Sequence, residues 1–293
     1  MTELVIHAGV HKTATTHLQA MLRRFEGKLN DAGVSYLDPK QIRQNGQDIA
    51  DHLQLETGDP ADAIAQLAQG RRRLLISEEN ILRMPHQMST KKARQLYARG
   101  HWHLRSLAFL NPSQKMTVAI SVRDYASFFR SLYTQALLGG FFTSFDEFIG
   151  LSSYDVCGWP DLISRIHHLD AVERIVVWRY EEYGDLTRHI VRELVGVDIP
   201  IAPKKTGTPH VGLSAKAVDV LMAHQAKDPG ENRRKHKIPR RPIAEAARQQ
   251  FPTGQDYPKY DPWLPAELRA SRQRYEADME TIAAMSKVEV LKA

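Results

Sequence analysis

A short stretch near the start of the chain, Gly9-Val10-His11-Lys12-Thr13-Ala14-Thr15-Thr16, contains what an oxyanion site requires. It follows the apolar run Leu4–Ala8 and precedes a segment of helical periodicity, so it reads as the turn from a strand into a helix. Unpaired N–H groups and the positive dipole end of such a helix converge on one spot. Lys12 adds a full charge there, and Thr13, Thr15 and Thr16 add hydroxyl donors. The spacing is not that of an ATP or GTP loop. Setting Lys12-Thr13 on the last two positions of G-x-x-x-x-G-K-[ST] puts Ile6 and His11 where the two glycines belong. A P-loop kinase or other nucleotide-binding phosphotransferase is therefore the alternative reading, with Leu74–Glu78 as a weak acidic-ended strand.

Other groups capable of chemistry are scattered. Of the 13 histidines, His11 lies inside the loop, His101 and His103 flank Trp102, and most of the rest are expected at the surface or in packing. Cys157 is the only cysteine, which excludes intramolecular disulfides and Cys-based zinc sites. Its neighbours show no activating pattern, so a buried or incidental thiol is expected. The formal charge of +6 favours polyanionic partners. Arg233-Arg234-Lys235-His236-Lys237, followed by Arg240-Arg241, is a basic run that makes a nucleic-acid-binding protein the second rival. No RRM, KH, zinc-finger or helix-turn-helix signature accompanies it and aromatics are not interleaved, so nucleic acid is not an expected partner.

The string HAGVHKTATTHLQ resembles the 5′-phosphosulfate loop of sulfotransferases, enzymes that move a sulfuryl group from 3′-phosphoadenosine 5′-phosphosulfate (PAPS) to an acceptor hydroxyl. Leu74–Asn80, Ser144–Phe148 and Trp178–Glu181 look like further landmarks of the bacterial members. The resemblance implies that Gly9, Lys12, Thr13, Ala14, Thr15 and Thr16 bind the 5′-phosphosulfate. It implies that Arg123, closing a strand, and Ser131, eight residues later, bind the 3′-phosphate. A guanidinium fork suits a terminal phosphate. It also implies a general base for the acceptor: Glu79 just after a strand, with His11 as its rival. Lys12 is expected to stabilise charge at the bridging oxygen of the leaving phosphate. No metal is required. The acceptor is expected to bear a hydroxyl, as in a glycan, a glycolipid or a small metabolite.

These residues need a scaffold that brings distant strand ends together. Apolar runs at Leu4–Ala8, Val34–Leu37, Leu74–Ser77, Met116–Val122 and Ile175–Arg179 alternate with helix-period segments, the pattern of a parallel sheet flanked by helices. The expected fold is a three-layer α/β P-loop type, with about five parallel strands and a helical C-terminal cap. Helices are expected from about 15 to 30, directly after Met116–Val122, and over a long terminal segment that carries Pro265 in its first turn. The chain reads as a single domain over 1–293, with a basic helix and loop cap or lid at about 200–262. No apolar run approaches the length of a membrane span. Residues Met1–Gly9 read as a core strand rather than a signal peptide, so a cytoplasmic location is expected.

Overall fold

The computed structural model describes residues 2–44, 47–55, 58–83, 95–110, 114–152, 154–155, 158–199, 212–227 and 233–293, excepting the side chains of 109–110 and 233–238. Six strands form one sheet: β1 (Glu3–Gly9), β2 (Val34–Leu37), β3 (Arg73–Ser77), β4 (Met116–Val122), β5 (Val172–Arg179) and β6 (Val288–Val290). Their spatial order is β2-β3-β1-β4-β5-β6 and every pairing is parallel. Five of the strands coincide with the apolar runs. The sixth does not: β6 pairs only Val288, Glu289 and Val290 with Ile175–Val177, too short a run to stand out in the sequence.

The strands are nearly uniform apolar runs because helices cover both faces. One face places Leu4, Ile6, Val118, Ile120, Ile175 and Val177 in a core shared with the helices Tyr125–Leu138, Trp159–His167 and Pro265–Ala283. The other places Val5, Leu75, Ala119, Val176 and Trp178 against Thr15–Arg24 and Tyr183–Val195. The helix expected over 15–30 is two helices, Thr15–Arg24 and Glu26–Asp31, because Phe25 leaves helical geometry (φ −103°, ψ 16°). Pro265 opens the terminal helix at its first turn, as its fixed φ favours.

Within the stretch from about 200 to 262, the described residues form two helices, Ala215–Lys227 and Arg233–Gln250, the second with Pro239 and Pro242 inside it. Leu213, Ala217, Val218, Leu221, Ala244 and Ala247 join the same apolar core as the sheet. The side chains of Arg233–Lys237 lie outside the described residues, as does Cys157. Among the described residues no helix is long and apolar enough to cross a membrane.

β1 lies between β3 and β4, and the strand order reverses there. In open α/β sheets the crevice at the carboxyl ends of such strands is the preferred ligand site. The segments leaving that edge are Gly9–Ala14 after β1, Glu78–Arg83 after β3, Arg123–Asp124 after β4 and Tyr180–Glu182 after β5.

Candidate active site

The loop after β1 turns on residues held in the left-handed region: Gly9 (φ 101°), Lys12 (φ 64°) and Ala14 (φ 61°). Gly9 is required twice over. Its φ suits glycine, and a Cβ there would lie 3.0 Å from Cβ of Glu79. Val10 N–H donates to the Ser121 carbonyl (3.1 Å), tying the loop to β4. The Thr13 hydroxyl donates to the Val10 carbonyl (2.7 Å), so this side chain braces the loop from inside. Ala14 caps the helix Thr15–Arg24 without a side-chain bond, and no acidic residue occupies the first turn. The helix dipole thus faces the loop with no carboxylate from its own first turn to neutralise it. Thr15 is buried there and Thr16 is exposed.

On the β4 flank, cations gather. Arg123 is buried, donating from Nη1 to the Lys12 carbonyl (2.7 Å) and from Nε to Ser127 Oγ (2.8 Å). Its guanidinium carbon lies 4.3 Å from the centre of the Tyr180 ring. Nη2 makes no hydrogen bond among the described residues. Burial pulls the Arg123 pKa down. Burial, then the charges of Arg123 and Lys259, does the same to Lys12, which has no carboxylate partner among the described residues. Lys259 arrives from far along the chain. It is held by a bridge to Ser214 and by Tyr260 N–H donating to the Leu213 carbonyl (3.0 Å). The residue is exposed overall while its ammonium is partly shut off from water. That enclosure, then Arg130 and Arg123, lowers its pKa. Arg130 itself pairs with Asp261. Ser131, expected beside Arg123, lies one helical turn beyond Ser127 on the same face of Tyr125–Leu138.

The β3 flank is built differently. Glu78 is 1% exposed, receives Arg43 Nε (3.0 Å) and Asn80 N–H (2.9 Å), and caps the short helix Glu79–Leu82. Burial raises its pKa despite those donors. Glu79 turns the other way, toward the loop. Its Oε2 receives Gln19 Nε2 (3.1 Å) and its Oε1 lies 3.3 Å from Arg43 Nη2. Burial alone would raise its pKa, but Gln19, the local backbone, His11 and Arg43 together bring it below the ordinary value.

Both nitrogens of His11 are engaged. Nδ1 lies 3.0 Å from the Tyr97 hydroxyl and Nε2 lies 3.2 Å from Asn80 Oδ1. Asn80 Oδ1 can only accept, so the imidazole proton sits on Nε2, and Nδ1 accepts from the Tyr97 hydroxyl, whose oxygen in turn accepts the backbone N–H of His11 (3.0 Å). Burial lowers the His11 pKa, which keeps this neutral form at pH 7. His11 is therefore a strut between loop, Asn80 and Tyr97. His101 lies against Arg165 (3.4 Å), and neither it nor His103 hydrogen-bonds to the loop.

Sequence reading missed Ser127, Lys259, Tyr180, Gln19 and Arg43. Ser127 had a visible signal, a hydroxyl one helical turn after Arg123. The others meet the site only through folding. Among the described residues no group of three or more His, Cys, Asp or Glu side chains could hold a metal ion. The chain matches no protein-family model and no curated protein.

Proposed function

We propose that this protein is a sulfotransferase that takes a sulfuryl group from PAPS and delivers it to an acceptor hydroxyl. The observation that carries this reading is a set of three mutually repelling cations that form no ion pair among the described residues, set opposite a paired carboxylate. Lys12, the Nη2 end of Arg123 and Lys259 flank an uncapped helix N-terminus, and Glu79 abuts Gly9 on the other side. A donor with two separated anionic groups suits that donor set. The loop residues Gly9–Thr16 take the 5′-phosphosulfate, and Arg123 with Ser131 takes the 3′-phosphate. Lys259 adds charge that the local sequence does not supply.

In the proposed reaction, Glu79 accepts the proton of the acceptor hydroxyl as its oxygen bonds to sulfur. The bond between sulfur and the bridging oxygen breaks, and the nucleotide phosphate leaves with the electron pair. Lys12 stabilises the charge that grows on that oxygen. His11 holds the loop in place, because both its ring nitrogens are already engaged. Arg123 fixes the loop as well as the ligand, through the Lys12 carbonyl.

Ligand-dependent thermal melts test the reading. The product nucleotide, 3′-phosphoadenosine 5′-phosphate (PAP), at about 100 times its Kd should add roughly 2.7 kcal/mol of stability. ATP with magnesium should add far less, because the loop lacks the glycine spacing for a β,γ-phosphate cradle. Equal or greater stabilisation by ATP overturns the assignment in favour of a phosphotransferase.

A further inference from the structure

Gln19 occupies an unexpected place. It sits on the buried face of the helix Thr15–Arg24, beside Leu18, Met21 and Leu22, and is only 6% exposed. A primary amide on an apolar helix face is unfavourable unless its donors are satisfied. Here one nitrogen serves two acceptors: Nε2 lies 3.2 Å from Ser77 Oγ and 3.1 Å from Glu79 Oε2. The carboxylate can only accept, so the amide nitrogen must face it. Ser77 Oγ accepts from Gln19 and so has its own proton available for His7 Nδ1 at 2.8 Å. His7 is paired with Ser77 across β1 and β3 and stacks on buried Trp178 at 5.7 Å. The chain His7–Ser77–Gln19–Glu79 thus runs from the sheet's interior to the loop.

We propose that Gln19 is a positioning residue for Glu79, joining the carboxylate to the helix whose N-terminus holds the sulfuryl donor. The inference rests on the reading of Glu79 as the base. Gln19 belongs to the donor-binding helix, so its hydrogen bond sets the register between the proton acceptor and the group being transferred. Ser77 and His7 keep the amide from rotating away. The charged and titratable groups around Glu79 are Arg43, Glu78, His11, His7 and Tyr97. Of these, Arg43 is shared with the Glu78 carboxylate, whereas Gln19 serves no carboxylate but Glu79 among the described residues.

The test uses Gln19→Met, close in shape but without the donor, and Ser77→Ala, which frees the amide one step back. Carboxyl carbon NMR titrations follow Glu79, its resonance identified by its loss in Glu79→Gln. PAP titrations and single-turnover rates accompany them. Gln19→Met should move the Glu79 titration to higher pH and carry the acidic limb of the rate profile with it. It should lower turnover by roughly ten- to a hundredfold while PAP affinity holds. Ser77→Ala should give smaller shifts in the same directions, and it supplies the same readouts if Gln19→Met does not fold. An unmoved carboxyl titration in folded Gln19→Met overturns the coupling. A moved titration with wild-type turnover overturns the positioning role. Full turnover in Glu79→Gln instead overturns the base itself, an outcome the carboxyl titration does not share.

Discussion

On the β3 flank of the loop, titratable groups come with partners: Glu78 with Arg43, Glu79 with Gln19 and Arg43, neutral His11 with Tyr97 and Asn80. On the β4 flank, Lys12, Lys259 and Arg123 face one another with no carboxylate paired to them among the described residues, and Asp261, Glu181 and Asp124 offset Lys259 and Arg123 only in part. The contrast separates two jobs. A reacting group must be held in one geometry before substrate arrives, so its hydrogen bonds belong to the protein. A polyanion site keeps positive charge in reserve, and the repulsion among its cations is relieved on binding. Folding tolerates that repulsion because Arg123 stacks on Tyr180 and braces the Lys12 carbonyl.

The largest effect should come from the partnered flank. Under the proposed reaction, Glu79→Gln preserves shape and nucleotide binding but removes the proton acceptor, so turnover should fall by roughly 10²–10⁴ with PAP affinity retained. Glu78→Gln should act on stability instead, because Glu78 is buried on Arg43 and caps the helix Glu79–Leu82. Single-turnover rates beside chemical denaturation of both variants separate the two. Near-wild-type turnover in Glu79→Gln removes it from the mechanism. That outcome together with collapse of turnover in His11→Ala at intact PAP binding transfers the role to the histidine.

The cationic flank should divide between binding and turnover. Lys12→Ala should lower turnover by roughly 10²–10³, more than it weakens PAP binding, because its interaction strengthens as the leaving phosphate gains charge. Arg123→Ala should mainly weaken PAP binding, by roughly 1.5–3 kcal/mol, or about 10- to 150-fold in Kd. Some of that loss comes from releasing the Lys12 carbonyl. PAP titrations and single-turnover rates on both variants check the division. Matching profiles would show that the two cations act as one unit.

What the sequence discloses follows the range of the interactions. The loop Gly9–Thr16 was legible because its chemistry is local, a strand, a small turn and a helix in continuous order. Five strands were legible because burial on both faces makes them apolar throughout. Arg123 could be picked out at a strand's end, and the hydroxyl it bonds, Ser127, lies one helical turn before Ser131. Rotation along the helix Tyr125–Leu138 decides which serine faces the guanidinium, and spacing alone leaves both on the same side. Lys259 was invisible, because only the pairing of Ser214 with Lys259 brings it in. Gln19 carries no local signal that separates it from any polar residue of an amphipathic helix. Its position beneath Glu79 depends on the packing of that helix over β1 and β3.

The smallest expected effect concerns acid stability, and it probes the partnered flank without any ligand. Burial lowers the His7 pKa to about 4, against an ordinary value of 6.5, with Glu79 only partly opposing. The unfolded chain therefore binds a proton at this residue between about pH 6.5 and 4 that the folded chain refuses. Stability from this group is full above pH 6.5 and is lost as pH falls, with a limiting slope of about 1.4 kcal/mol per pH unit. Glu79 has a lowered folded pKa and adds its own loss only below the ordinary carboxylate range. Glu78, raised by burial, opposes the histidines above that range, so from pH 6.5 to 5 the difference between wild type and a His7 variant isolates His7. His11 and His103 contribute there in the same direction, each lowered first by burial. Replacing His7 with Gln should lower stability at neutral pH, since the stack on Trp178 and the bond to Ser77 are disturbed. It should also flatten the acid dependence by up to that single-proton slope. Urea denaturation at several pH values in this interval measures both changes. Parallel curves for wild type and His7→Gln would mean that His7 titrates normally in the fold, and the β3 flank would then lose its buried neutral anchor.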